Sequence, residues 1–167
     1  MKKLYLIGGT MGVGKTAVSK ILTEKLPNSV FLDGDWCWNA HPFVVTDETK
    51  TMVLDNISYL LNNFLNCSAY QNIVFCWVMH EQAIIDNLLS RLQLNDCRVA
   101  KISLVCNEVA LKKRLLKDIA NGTRTEDIVE RSLARLTLYA NLDTLKIDTT
   151  KKSVEEVADE IVKGFIA

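Results

Sequence analysis

The sequence has no Cys-x-x-Cys pair. Its five cysteines, Cys37, Cys67, Cys76, Cys97 and Cys106, are scattered and odd in number. That pattern argues against a disulfide framework and against a zinc site. Cys76 and Cys106 stand in apolar runs and are expected to be small buried hydrophobes. Net charge is missing too, because 20 basic and 20 acidic side chains cancel. A chain without a global field gives no reason to expect nucleic acid or an anionic membrane as partner. No apolar run approaches the roughly 20 residues that span a bilayer. The opening "MKKLYLIGG" holds two lysines and then too short an apolar stretch for a secretory leader. The expectation is a reduced, cytoplasmic protein, monomer or homodimer.

Also absent are internal repeats, low-complexity tracts, linkers and hairpin signals. What the chain does have is a regular alternation of apolar runs and helical periodicity. "LYLIG" (4–8), "SVFLD" (29–33), "NIVFCWV" (72–78), "RVAKISLVC" (98–106) and "TLKID" (144–148) predict five strands. Between them, Val18, Ile21 and Leu22, then Val53, Ile57, Leu60 and Leu61, then Ile84, Ile85, Leu88 and Leu89 recur at helical spacing. Thr46 is placed to cap one helix. "SVEE" (153–156) is a capping box for the last, and Thr125–Asp127 supply a cap and acids for another. Strands separated by helices predict an α/β domain with a parallel sheet covered on both faces. At 167 residues one domain is expected, 1–167.

Directly after the first strand comes "GGTMGVGKT". Gly9, Gly14, Lys15 and Thr16 fit G-x-x-x-x-G-K-[ST], with a strand before and a helix after, as the motif requires. The glycines let consecutive backbone N–H groups turn inward on phosphate oxygens, and the helix adds its positive end. Gly9, Thr10, Met11, Gly12, Val13, Gly14, Lys15, Thr16 and Ala17 are therefore the candidate nucleotide-binding residues. Lys15 would reach the β- and γ-phosphates, and Thr16 would ligate Mg²⁺. ATP and Mg²⁺ are the expected cofactors.

With this phosphate loop in place, the chain resembles the small P-loop kinases that phosphorylate nucleotides or small metabolites. The resemblance runs through the whole chain, in the order phosphate loop, acidic second strand, lid and C-terminal strand. "FLDGD" (31–35) looks like the second-strand motif of gluconate and adenylylsulfate kinases. Shikimate kinases carry a similar aspartate pair there, and chloramphenicol phosphotransferases an aspartate. The resemblance implies a three-layer P-loop fold with a five-stranded parallel sheet and a small helical lid near 112–136. The acceptor region would lie near 34–65. It implies that Asp35 orients or deprotonates an acceptor hydroxyl and that Asp33 contacts Mg²⁺ or its waters. The competing reading of Asp33 and Asp35 is ordinary Asp-Gly turn chemistry. Their position favours a site, because ligands of open parallel sheets bind beyond the carboxyl ends of the strands.

Residues 111–135 hold Lys112, Lys113, Arg114, Lys117, Arg124, Arg131 and Arg135 against four acids. In a lid these cations would meet the transferring phosphate, with Arg124 and Arg131 as catalytic candidates and Arg114 and Arg135 as nucleotide contacts; the bland alternative is a solvated helix face. On the acceptor side, residues 31–81 contain six acids, Lys50 as the lone base, and all three tryptophans. Trp36 and Trp38 would share one side of an extended loop and form an aromatic wall, while His80 and Glu81 follow the third strand at the ligand-binding edge. Trp77 reads as packing. The lack of arginine there weighs against a phosphorylated or sulfated acceptor and favours an uncharged or cationic hydroxyl compound.

Other P-loop functions lack their marks. No Asn-Lys-x-Asp motif supports a GTPase switch, and the third strand ends without the acid pair of a mechanical ATPase. The remaining alternative is a nucleotide-binding module or simple NTPase without an acceptor.

Overall fold

The computed structural model describes residues 1–166. The strands are β1 (Lys3–Gly8), β2 (Ser29–Asp33), β3 (Asn72–Cys76), β4 (Arg98–Val105) and β5 (Leu145–Asp148). The helices are α1 (Lys15–Lys25), α2 (Asp47–Asn66), α3 (Gln82–Ser90), α4 (Glu108–Ala120), α5 (Ile128–Leu136) and α6 (Val154–Ile166). Short 3-10 turns occupy Gly34–Trp38 and Thr137–Asn141. The strands form one parallel sheet, as the alternation of elements predicts, and their order is β2-β3-β1-β4-β5.

The period of two along β1 divides the core between the faces of the sheet. Tyr5 and Ile7 pack with Val18 and Leu22 of α1, Leu111 and Leu115 of α4, and Val157 and Ile161 of α6. Leu4 and Leu6 pack on the other face with Val53, Ile57 and Leu61 of α2 and Ile85 and Leu88 of α3. Both faces are covered, which is why the strands read as continuous apolar runs rather than alternating ones. With β1 flanked by β3 and β4, the sheet changes winding direction beside β1, where such sheets open a ligand crevice. The phosphate loop, the Gly34–Trp38 turn and residues 77–81 all leave the sheet at that edge.

Two caps form as the sequence predicts. Thr46 and Thr49 exchange side-chain and backbone bonds at the start of α2, and Ser153 and Glu156 do the same at α6. At α5 the expectation fails in detail: the Thr125 hydroxyl bonds the Asp127 carboxylate, and α5 begins at Ile128 with no side-chain cap. Strand β3 stops at Cys76, two residues before the expected end. Gly34 turns β2 away at that level, and the Val78 carbonyl leaves the ladder to accept from Gly9 N–H and the Tyr139 hydroxyl. All five cysteines are free, and Cys76 and Cys106 are buried. Among the described residues no helix is long and apolar enough to cross a membrane.

Candidate active site

The phosphate loop joins β1 to α1 through a left-handed residue that only glycine adopts without strain: Gly14, the N-cap of α1, has φ 107°. Thr10 is fully buried, and its hydroxyl donates to the Ser132 carbonyl at 2.8 Å, fastening the loop to α5. Lys15 folds back so that Nζ donates to the Thr10 carbonyl at 3.1 Å. Burial holds the Lys15 ammonium below its ordinary pKa, while Asp35 and Asp33 pull the other way.

Beside the loop, β2 delivers Asp33, which is only 5% exposed. Its Oδ2 accepts the Thr16 hydroxyl at 2.7 Å, and its Oδ1 accepts the backbone N–H of Asp35 at 3.1 Å. The second bond makes Asp33 the cap of the Gly34–Trp38 turn. Asp35 stands at the cleft mouth with more of its surface open. The surrounding protein, and next the Asp33 charge, raise its carboxyl above the usual value, opposed by the charges of Lys15 and Arg124. Lys15, Thr16, Asp33, Asp35 and Arg124 are thus gathered around one point at the sheet's carboxyl edge.

The aromatic wall is built differently from the expectation. Because 34–38 is a 3-10 turn rather than an extended loop, Trp36 and Trp38 point to different sides. Trp36 meets Phe31 edge-on at 5.2 Å and is 58% exposed, whereas Trp38 lies on Phe43 at 4.6 Å and packs toward the α2 core. In a turn of three residues, positions i and i+3 eclipse, so Trp38 shares a side with Asp35. Trp77 packs on the same core.

His80 is largely enclosed. Its Nε2 lies 3.3 Å from Glu81 Oε1, and its Nδ1 is buried without a partner. Burial, and then the charge of Arg135, hold its pKa below the ordinary imidazole value. Glu81 itself occupies the N-cap of α3 without a capping bond.

The lid cations separate. Arg114 donates to the Val13 carbonyl at 3.3 Å, to Thr149 Oγ1 at 3.0 Å and to the Thr149 carbonyl at 2.7 Å. It clasps the phosphate loop to the segment after β5. Together with Ala110, Lys113, Lys117 and Thr150 it lines a groove. Arg124 pairs with Asp118 at 3.2 Å while still acting electrostatically on Asp35. Arg131 pairs with Asp127 at 2.9 Å in solvent, and Arg135 approaches His80 and Tyr139. Sequence reasoning passed over Thr149 as the partner of Arg114 and over the seat of the Trp77 ring on Gly34. The placement of Trp77 one residue past β3, level with the aspartate pair, was the available signal.

An oxygen-only pair of hydroxyl and carboxylate, Thr16 and Asp33, suits a hard cation such as Mg²⁺, which keeps waters for its remaining positions.

Comparison with known proteins agrees with this fold. The sequence matches the family model described as AAA domain over residues 6–135. It is 24% identical over 172 residues to a shikimate kinase of Bacillus cytotoxicus, covering 98% of each chain. The fold superposes on a gluconokinase from Sinorhizobium meliloti 1021 with TM-score 0.70 at 18% identity, covering 97% of this chain and 90% of that one. A tunicamycin resistance protein of Deinococcus radiodurans gives TM-score 0.70 at 22% identity, covering 98% and 95%. The chain belongs to the AAA domain family, as one of its small P-loop kinases, a phosphotransferase with a nucleotide-binding phosphate loop.

Proposed function

We propose that the protein transfers the γ-phosphoryl group of ATP to a hydroxyl of a small molecule, with Asp35 receiving the hydroxyl proton. The observation that carries this reading is the divided use of the aspartate pair. Asp33 is buried and committed to Thr16, while Asp35 is open at the cleft and its pKa is raised above the ordinary value by its surroundings and by Asp33. A carboxylate with an elevated pKa is a better proton acceptor than an ordinary one, and it stands where an acceptor would enter. Thr16 and Asp33 would hold Mg²⁺, which when bound offsets charge on the β- and γ-phosphates. Lys15 leaves the Thr10 carbonyl to meet the phosphates, with Arg124 closing from the lid. Arg114 fixes the nucleotide-side loops, and Arg131 and Arg135 supply further charge on closure. Met11, Gly12 and Val13 contribute backbone N–H groups, and Gly9 and Ala17 flank the cradle.

The acceptor is an uncharged or cationic hydroxyl compound. Within 31–81 the lone lysine or arginine is Lys50, exposed and 3.6 Å from Asp47 at the start of α2, so this stretch brings little positive charge to receive a phosphate or sulfate. Trp38 offers an aromatic surface on the Asp35 side, Trp36 a second one at the rim, and His80 and Glu81 polar contacts. One observation favours a second reading, an acceptor with a single carboxylate: Arg135 reaches the neighbourhood of His80 from α5. Matched pairs such as uridine with uridine monophosphate and glucose with gluconate, offered with Mg-ATP and assayed by mass spectrometry, separate the two. Phosphorylation of the neutral members supports the first reading. Preference for the carboxylate supports the second, and transfer to none with intact ATP binding contradicts both.

A further inference from the structure

We propose that Thr10 is a positioning residue that couples the phosphate loop to α5, so that nucleotide held by the loop steadies the helix that carries Arg131 and Arg135. The coupling needs nucleotide in the loop but no acceptor, and so goes beyond the transfer reading without depending on it.

Thr10 faces two ways. Its hydroxyl donates to the Ser132 carbonyl at 2.8 Å, and both residues are fully buried. Its own carbonyl serves the loop, accepting Lys15 Nζ at 3.1 Å and the Val13 N–H at 3.4 Å. One residue thus ties the cradle that receives phosphate to the middle of α5. In so buried a setting a displaced Thr10 hydroxyl would lose its partner without gaining water, which holds the contact in place. The bond is made for the loop and not for the helix. Ser132 stands inside α5, where a carbonyl's helical partner is the N–H four residues on, and a second lone pair remains for Thr10.

Among the described residues no other hydrogen bond joins the loop directly to α5. The neighbouring attachments lead elsewhere. Gly12 lies against α4, where a Cβ would come within 2.5 Å of the Leu115 side chain, and the Val13 carbonyl accepts from Arg114. Gly9 N–H and the Tyr139 hydroxyl share the Val78 carbonyl, which is an indirect link. Ile128 sits in the core and Val129, Leu133 and Leu136 pack against it, but apolar packing is not directional. The Thr10 bond is what fixes which turn of α5 faces the loop. Arg135 lies three residues beyond Ser132, on the same face of the helix, so its place relative to the loop follows from that bond.

Hydrogen exchange read by mass spectrometry, with and without a saturating nonhydrolysable ATP analogue and Mg²⁺, tests the coupling. In the wild type, amides of the loop and of 131–136 should both slow with nucleotide, those of α5 by roughly fivefold or more. Thr10→Val keeps the shape of the side chain and removes the donor; should it not fold, Thr10→Ala takes its place. The loop of that variant should still gain protection while α5 gains little, and its nucleotide Kd should rise by roughly fivefold. Thr10→Ser keeps the donor and should retain both properties. Ser132→Ala should behave as wild type, because the Ser132 hydroxyl has no partner and the contact uses the carbonyl. An α5 that gains no protection in the wild type overturns the proposal by itself. So does α5 protection that persists without the Thr10 donor, or that is lost in Thr10→Ser.

Discussion

The Thr16 hydroxyl donates to Asp33 Oδ2 at 2.7 Å, joining the first turn of α1 to the end of β2 across 17 residues. These two oxygens are the candidate metal pair, and the bond fixes them before nucleotide arrives. The same carboxylate caps the turn that carries Asp35, so metal side and acceptor side share one residue.

Asp33→Asn keeps the shape and an acceptor for Thr16 but removes the charge that holds a cation. Folding should survive, while transfer falls by roughly a hundredfold or more and the Mg²⁺ concentration needed for tight ATP binding rises. Titration calorimetry of ATP at several Mg²⁺ concentrations checks this, and an unchanged Mg²⁺ dependence would remove Asp33 from the metal site.

Asp35→Asn should act in opposite directions on activity and stability. Loss of a general base costs roughly 10²–10⁴ in rate. Yet the native state disfavours the Asp35 charge, through its surroundings and Asp33, so removing that charge should raise the melting temperature at neutral pH. The folded pKa is raised, so the native state binds more protons than the unfolded chain. The variant's advantage is therefore full above the folded pKa and vanishes as pH falls to the ordinary 3.8. Solvent at the cleft mouth screens the effect. Melting curves from pH 3 to 8 check the sign, and a variant less stable at neutral pH contradicts it.

Arg114→Ala cuts three hydrogen bonds, one to the Val13 carbonyl of the phosphate loop and two to Thr149. Bonds from a charged donor contribute roughly 1.5–3 kcal/mol each when isolated, but they are not additive here, so a loss of about 2 kcal/mol is expected. ATP affinity should drop by about tenfold, corresponding to roughly 1.4 kcal/mol. Denaturant midpoints and nucleotide Kd test the two parts; unchanged affinity would confine Arg114 to a structural role.

His80 supplies a pH dependence of the opposite kind. Its folded pKa is depressed by burial and by Arg135, with Glu81 partly opposing, so the unfolded chain binds the extra proton. Stability should therefore rise with pH from the folded pKa up to the ordinary 6.5 and be lost as pH falls through that window. His80→Gln should flatten this slope, as urea midpoints between pH 5 and 7.5 would reveal.

The fold is legible in the sequence because the central strands β1 and β3 are buried on both faces and the motif around Gly14 and Lys15 is written in consecutive residues. The turn at Gly34–Trp38 is legible only in part: Asp33-Gly34 is a turn signal, but "DGDWCW" does not say that the turn runs on to Trp38 as a 3-10 turn and parts the two tryptophans. What decides it is Asp33 accepting the Asp35 N–H and Trp77 lying over Gly34, a contact between residues far apart in the chain. Arg114 is similar: its basic neighbours suggest a phosphate contact, while its partners Val13 and Thr149 lie 101 and 35 residues away. Side-chain destinations of that kind depend on the folded sheet, not on spacing.

The most direct measurement is ADP release from Mg-ATP against a panel of nucleosides, nucleoside monophosphates, sugar acids, shikimate, aminoglycosides and chloramphenicol, with Asp35→Asn and Lys15→Ala alongside. The account predicts that at least one hydroxyl compound raises turnover well above the basal rate. Asp35→Asn should abolish that rise while still binding ATP, and Lys15→Ala should suppress both basal and stimulated turnover. No stimulation by any acceptor, together with basal hydrolysis unaltered by Asp35→Asn, would contradict it and leave a nucleotide-binding module.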